Sequence, residues 1–178
     1  MAAQLRDWPW NELAIALQLG YALVLSALIG WERERHRRPA GLRTHILVAV
    51  SATMVTAIGE QLVARYAHLD DGVTTDPSRV VHGLLTGIGF IGAGTIFQTR
   101  RGDTVLGVTT AASLFAVTVL GIAIGLGFYV LAAVAALIIF GVLRILGPLE
   151  HSLAKASHTA DQTADQTADP GGGEQPRA

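Results

Sequence analysis

The sequence predicts an all-α protein that crosses a bilayer about five times. Three observations predict it. Of 178 residues, 51% are apolar and only 15% are charged, with a mean hydropathy of +0.43, too apolar a balance for an ordinary water-soluble domain. The apolar residues gather in five nearly uncharged stretches: Leu13 to Ile29, His45 to Ala64, Val80 to Phe97, Val105 to Gly121 and Leu126 to Leu146. At a helical rise of ~1.5 Å per residue, each spans roughly 25 to 32 Å, close to the ~30 Å of bilayer hydrocarbon. Buried helices of soluble bundles keep a polar face, and Leu126 to Ile139 has none.

The first stretch is expected to stay in the mature chain. A cleavable leader carries positive charge before its apolar run, whereas here only Arg6 precedes it and Glu32 to Arg38 follow. Trp8, Trp10 and Trp31 bracket it, as expected of rings that settle among headgroups. The last two stretches have almost nothing polar between them. As one helix they would run on the order of 60 Å, about twice the hydrocarbon thickness, so the chain must turn. Gly121, Gly125 and Gly127 stand where the turn is needed, and glycine accepts positive φ. Residues 1–150 therefore read as a transmembrane domain. Residues 151–178 read as a disordered low-complexity tail, because Thr-Ala-Asp repeats and Gly171 to Gly173 cannot bury enough apolar area to offset chain entropy.

Orientation follows from the basic residues. With five crossings, nine fall on one side, including Arg33, Arg35, Arg37, Arg38, Arg43, Arg100, Arg101 and Arg144, and only Arg6, Arg65 and Arg79 on the other. That bias places the amino terminus outside and the carboxyl terminus in the cytoplasm.

Several function classes drop out. Without cysteine there is no disulfide, thiolate metal site or cysteine nucleophile. A net charge of -1 gives no basic field for nucleic acid. Scattered serines and histidines form no catalytic constellation, so the chain reads as no enzyme, with no cofactor and no metal site. Asp70, Asp71 and Asp76 offer oxygen ligands to a divalent cation, but their spacing fixes no geometry and a solvated acidic loop explains them better.

Three groups of residues carry the functional reading. In the third stretch, Gly83, Gly87, Gly89, Gly92 and Gly94 put five glycines in twelve residues, followed by Thr95. Small residues four apart allow close backbone packing of helices; a sharper alternative is that residues 87–94 unwind and turn backbone groups toward a cavity. The dinucleotide pattern at Gly87, Gly89 and Gly92 lacks its strand, amphipathic helix and acidic partner. Thr109 and Thr110 add hydroxyls on the fourth stretch, expected to bond helix carbonyls or to bridge a helix contact. In the loop from Gly30 to His45, positive-inside anchoring explains the arginines but not Glu32 and Glu34. Glu32, Arg33 and Glu34 are expected to pair with Arg43, Arg100 or Arg101, with Thr44 and His45 completing the motif. On the outer side stand Glu60, Asp76, Arg79 and His82; Glu60 and His82 either pair or reach separately for the interface.

Five blocks in one order, Gly-Trp-Glu-Arg-Glu from Gly30, Ala-Gly-Leu-Arg-Thr-His from Ala40, Asp-Pro-Ser-Arg from Asp76, the glycine run from Gly87 and Gly-Val-Thr-Thr-Ala-Ala from Gly107, resemble the MgtC/SapB family of bacterial inner-membrane proteins over roughly residues 13 to 146. The resemblance implies a five-helix hydrophobic domain linked to growth under magnesium limitation and, in pathogens, to survival inside host cells and virulence. It implies a regulator that acts through a membrane protein partner, with a transport or channel role for magnesium or protons as the alternative. Homo-oligomerisation is left open. Phe115 and Gly83 depart from the residues common in relatives, and longer members continue into a soluble cytoplasmic domain where this chain carries its tail.

Overall fold

A computed structural model describes residues 8–66, 76, 78–98 and 107–145 of the chain, and every element among them is helical. In order, α1 is Trp8–Arg35, α2 Leu42–Tyr66, α3 Ser78–Gln98, α4 Val108–Gly125 and α5 Tyr129–Ile145. Parts of the first four are long and apolar enough to cross a membrane, and α5 is a shorter apolar helix. The architecture is all-α and polytopic. Two compact units divide the chain at residues 1–140 and 141–178, and in the second only 141–145 are described. The expected tail, the loop holding Asp70 and Asp71, Arg100 and Arg101 lie outside the described residues, as do the side chains of Trp8, Trp10 and Arg65.

Helix ends follow local chemistry. α1 stops in a Schellman cap: the Arg37 amide donates to the Glu34 carbonyl at 3.0 Å and the Arg38 amide to the Arg33 carbonyl at 3.1 Å. α4 stops the same way, with Gly127 at φ 80, its amide donating to Ile124 and that of Phe128 to Ala123. At α3 the Asp76 carboxylate accepts the Ser78 amide at 2.9 Å and Pro77 follows in sequence, the usual order of an N-cap and a first-turn proline.

Packing is inverted relative to a soluble bundle. The interior holds small and hydroxyl side chains, among them Ala22, Ser26, Ala49, Ala52, Thr53 and Ala132. Ile29, Leu114, Val117 and Ile124 are buried beside them, but many large apolar side chains point outward, with Phe90 83% exposed and Leu47 66% exposed. In water such a surface would drive association; in lipid it is solvated, and close contact of small residues holds the helices together.

α2 lies against both α1 and α4, and α3 lies mainly against α4. Glycines set these distances. A Cβ on Gly121 would stand 2.5 Å from the Ala49 carbonyl oxygen, and one on Gly125 2.6 Å from Thr56 Cβ. The two belong to the interior of α4 and its contact with α2. The expected hairpin is present, but Gly127 alone of the three supplies its left-handed backbone, because the reversal is a helix cap that needs positive φ at one residue.

α3 remains a continuous helix from Ser78 to Gln98, so the alternative that residues 87–94 unwind does not hold. Glycine weakens a helix through backbone entropy, but every other position here is filled by residues that a membrane helix accepts.

Candidate functional site

Two features stand out, a buried polar centre and an open glycine face. The polar centre forms where α1 ends and where α2 and α4 begin. Glu32, Arg33, His45, Thr110 and Ser113 are all buried there, His45 completely. Gly30 makes the approach of α1 and α2 possible, since a Cβ on it would meet Leu42 Cα at 2.9 Å and His45 Cβ at 3.0 Å. Arg33 Nη2 donates to Thr110 Oγ1 at 3.3 Å, tying α1 to α4. His36 lies against Glu32, with Nδ1 3.4 Å from its carboxylate and 2.8 Å from its carbonyl oxygen.

His45 ties α2 to α4. Its Nδ1 lies 2.8 Å from the Gly41 carbonyl, which can only accept, so Nδ1 carries a proton. Nε2 then faces Ser113 Oγ at 3.1 Å, while that hydroxyl also reaches the Thr110 carbonyl at 2.8 Å. Glu34 acts at the start of α2. Gly41, the residue before that helix, has no side chain to cap it, and Glu34 Oε2 accepts the Leu42 amide at 3.1 Å instead. A carboxylate there also complements the positive end of the helix dipole.

The loop motif expected from the sequence thus divides in two. Glu32, Arg33 and His45 are buried at the centre, whereas Glu34, Arg43 and Thr44 are exposed, Glu34 at the start of α2. Among the described residues Glu34 caps a helix and Arg33 bonds a hydroxyl; neither contact involves Arg43. Thr110 joins the centre, and Thr109, one residue earlier, is exposed.

The residues expected on the outer side form no buried site. Glu60, Asp76, Arg79 and His82 are all exposed, and Glu60 and His82 share no ion pair or hydrogen bond among the described residues. Asp76 caps α3, and hydrogen bonds from the Ser78 side chain and amide hold its carboxyl below the usual range. A contact that the sequence reading missed sits near the same end of the bundle. Gln18 Nε2 donates to the Tyr129 hydroxyl at 2.9 Å, and the Tyr21 and Tyr129 rings meet edge to face at 6.0 Å. Gln18, a lone amide inside an apolar stretch, was the available signal.

The glycine face of α3 is open. Nothing lies within 4 Å of a Cβ built on Gly83, Gly87, Gly89 or Gly94, and only Gly92 meets a neighbour, Ala111 Cβ at 3.4 Å. Gly83 and Gly87 edge a groove of about 330 Å³ between α2 and α3, walled by Leu47, Ser51 and Ile91. Thr95 bonds the Gly92 carbonyl of its own helix at 2.7 Å. No group of three or more His, Cys, Asp or Glu side chains able to hold a metal ion occurs among the described residues.

Comparison with known proteins places this geometry. The MgtC family model matches residues 19–152. The chain belongs to the MgtC family. It is 40% identical over 141 residues to protein MgtC of Brucella abortus, covering 79% of this chain and 55% of that protein. Protein SapB of Bacillus subtilis is 37% identical over 115 residues, covering 65% of this chain and 49% of SapB. YhiD of Escherichia coli K12, whose name proposes magnesium transport, is 32% identical over 146 residues, covering 80% of this chain and 65% of YhiD. The chain thus spans about half to two thirds of these relatives' lengths. No solved structure matches it.

Proposed function

We propose that this MgtC-family chain is a non-enzymatic regulator in the bacterial inner membrane, linked to adaptation to magnesium limitation and, in pathogens, to intracellular survival. It acts by receiving a helix of a membrane protein partner on the glycine face of α3. The family match and the relatives' names support a magnesium-related membrane role rather than catalysis. The observation that carries the partner is a contrast among glycines. Gly30, Gly121 and Gly125 are used up in contacts within the chain, while Gly83, Gly87 and Gly94 present bare backbone on one face of an intact helix, the first two beside an apolar groove. Bare backbone at small-residue spacing is what a second membrane helix needs for close approach.

Co-purification from native membranes tests this. Gly87→Leu should leave insertion and folding intact and abolish recovery of the partner; unchanged recovery overturns the reading. Gly92→Leu is a poorer probe, because its side chain would strike Ala111 within the chain. The competing reading, a transport or channel subunit for magnesium or protons, is favoured by the name of YhiD. Saturable magnesium flux into reconstituted vesicles, lost on changing Gly89 or Thr95, would establish it over the regulator.

A further inference from the structure

The caps that end α1 and α4 share one hydrogen-bond pattern but differ at the residue that must be left-handed. α4 uses Gly127, and α1 uses Arg37 at φ 51, the only non-glycine residue with positive φ among the described residues. Glycine takes this conformation without steric penalty and an L side chain does not, so arginine weakens the cap. An outlier of this kind points toward a function for the side chain that causes it. Among the described residues neither Arg37 nor Arg35, Arg38 or Arg43 makes an ion pair or side-chain hydrogen bond. Buried Arg33, by contrast, bonds Thr110.

These four guanidinium groups occupy the end of α1, the connection and the first turn of α2. Glu34 is the acidic side chain among them, and it is engaged by the Leu42 amide. Just before them, Trp31 is 64% exposed and lines a surface depression of about 310 Å³ with Glu34 and Arg35. An exposed indole at the end of an apolar span settles at headgroup depth, which puts the neighbouring arginines level with lipid phosphates. Guanidinium donates two parallel hydrogen bonds to a phosphate.

We propose that the α1–α2 connection binds the phosphate of an anionic phospholipid headgroup, held by Arg35, Arg37, Arg38 and Arg43 with Trp31 fixing its depth. The excess of positive charge selects a headgroup of net negative charge over a zwitterionic one, whose own cation would face the arginines. The site belongs to lipid rather than to free phosphate because it borders the ends of two spans, Glu12–Arg35 and Leu42–Val63, along which acyl chains lie against exposed Leu28 and Leu47.

The test uses the full chain in nanodiscs of phosphatidylcholine, with and without phosphatidylglycerol. Phosphatidylglycerol should raise the apparent melting temperature, as a ligand of the folded state does. Arg37→Gln with Arg38→Gln and Arg43→Gln should remove most of that rise, and phosphatidylglycerol affinity read by native mass spectrometry should fall about fivefold per arginine. If the triple variant does not fold, Arg43→Gln alone, on a regular helical turn, gives the affinity comparison. Arg37→Gly should melt higher than the parent in pure phosphatidylcholine yet gain less from phosphatidylglycerol, separating cap strain from lipid binding. Arg79→Gln, beside the Gly59 end of α2, should keep the full gain. The proposal is overturned by an undiminished rise in the arginine variants, by an equal loss in Arg79→Gln, or by an equal rise when inorganic phosphate is added to the phosphatidylcholine sample.

Discussion

His45 shows how much one buried side chain can fix. Because the Gly41 carbonyl can only accept, the imidazole is held with a proton on Nδ1 and with Nε2 toward Ser113. Nitrogen NMR of the imidazole should show Nδ1 protonated; a bare Nδ1 would refute the contact with the Gly41 carbonyl. Thr110 and Thr109 provide a matched pair. Thr110→Val should destabilise the chain by about 1 to 3 kcal/mol in detergent melts, because it takes an acceptor from a buried guanidinium, while Thr109→Val should change little. Asp76 carries a pH dependence of definite sign. Its carboxyl is depressed in the folded state, so its support of α3 is present above the ordinary carboxylate range and lost as pH falls through the folded value. The protection of the Ser78 amide, taken relative to its intrinsic exchange rate at each pH, should therefore fall on acidification, and Asp76→Ala should already show the lower protection at neutral pH. The cap at Asp76 could be read from the order Asp, Pro, Ser in the sequence. The pairing of Arg33 with Thr110 could not, because those residues are 77 positions apart.

At the scale of helices, glycine means different things on α4 and α3. Gly125→Leu should cost about 1 to 3 kcal/mol or more, since there is no room beside Thr56 and the Thr53 carbonyl. Gly87→Ala should be neutral or stabilising by up to about 1 kcal/mol, because its Cβ meets nothing and alanine is the better helix former. Equal losses from the two in thermal unfolding would contradict the assigned packing. Sequence spacing alone did not say which glycines serve contacts within the chain: the densest glycine run, on α3, is largely open, and sparser glycines on α1 and α4 carry close approaches. Small size permits contact, but only the positions of neighbouring helices decide whether contact occurs. Thr53 illustrates the gain, reaching both its own Ala49 carbonyl at 2.9 Å and the Gly121 carbonyl of α4 at 3.0 Å, where glycine lets the helices meet.

At the scale of the molecule, the large apolar side chains exposed on the described helices require lipid as solvent. The chain should stay in the membrane pellet through an alkaline carbonate wash and leave it only with detergent; release by carbonate would refute the architecture. Composition and the five apolar runs determined the fold class, the number of helices and, through five motif blocks, the family. They could do so because the hydrophobic match to a bilayer and the hydrogen-bonding demand of backbone in lipid act on each segment separately. Tertiary structure decided which polar residues meet at the junction of α1, α2 and α4, which glycines are consumed by packing, and that α3 keeps its helix while leaving one face bare. Those outcomes depend on residues far apart in the chain whose separation is set by the helices lying between them.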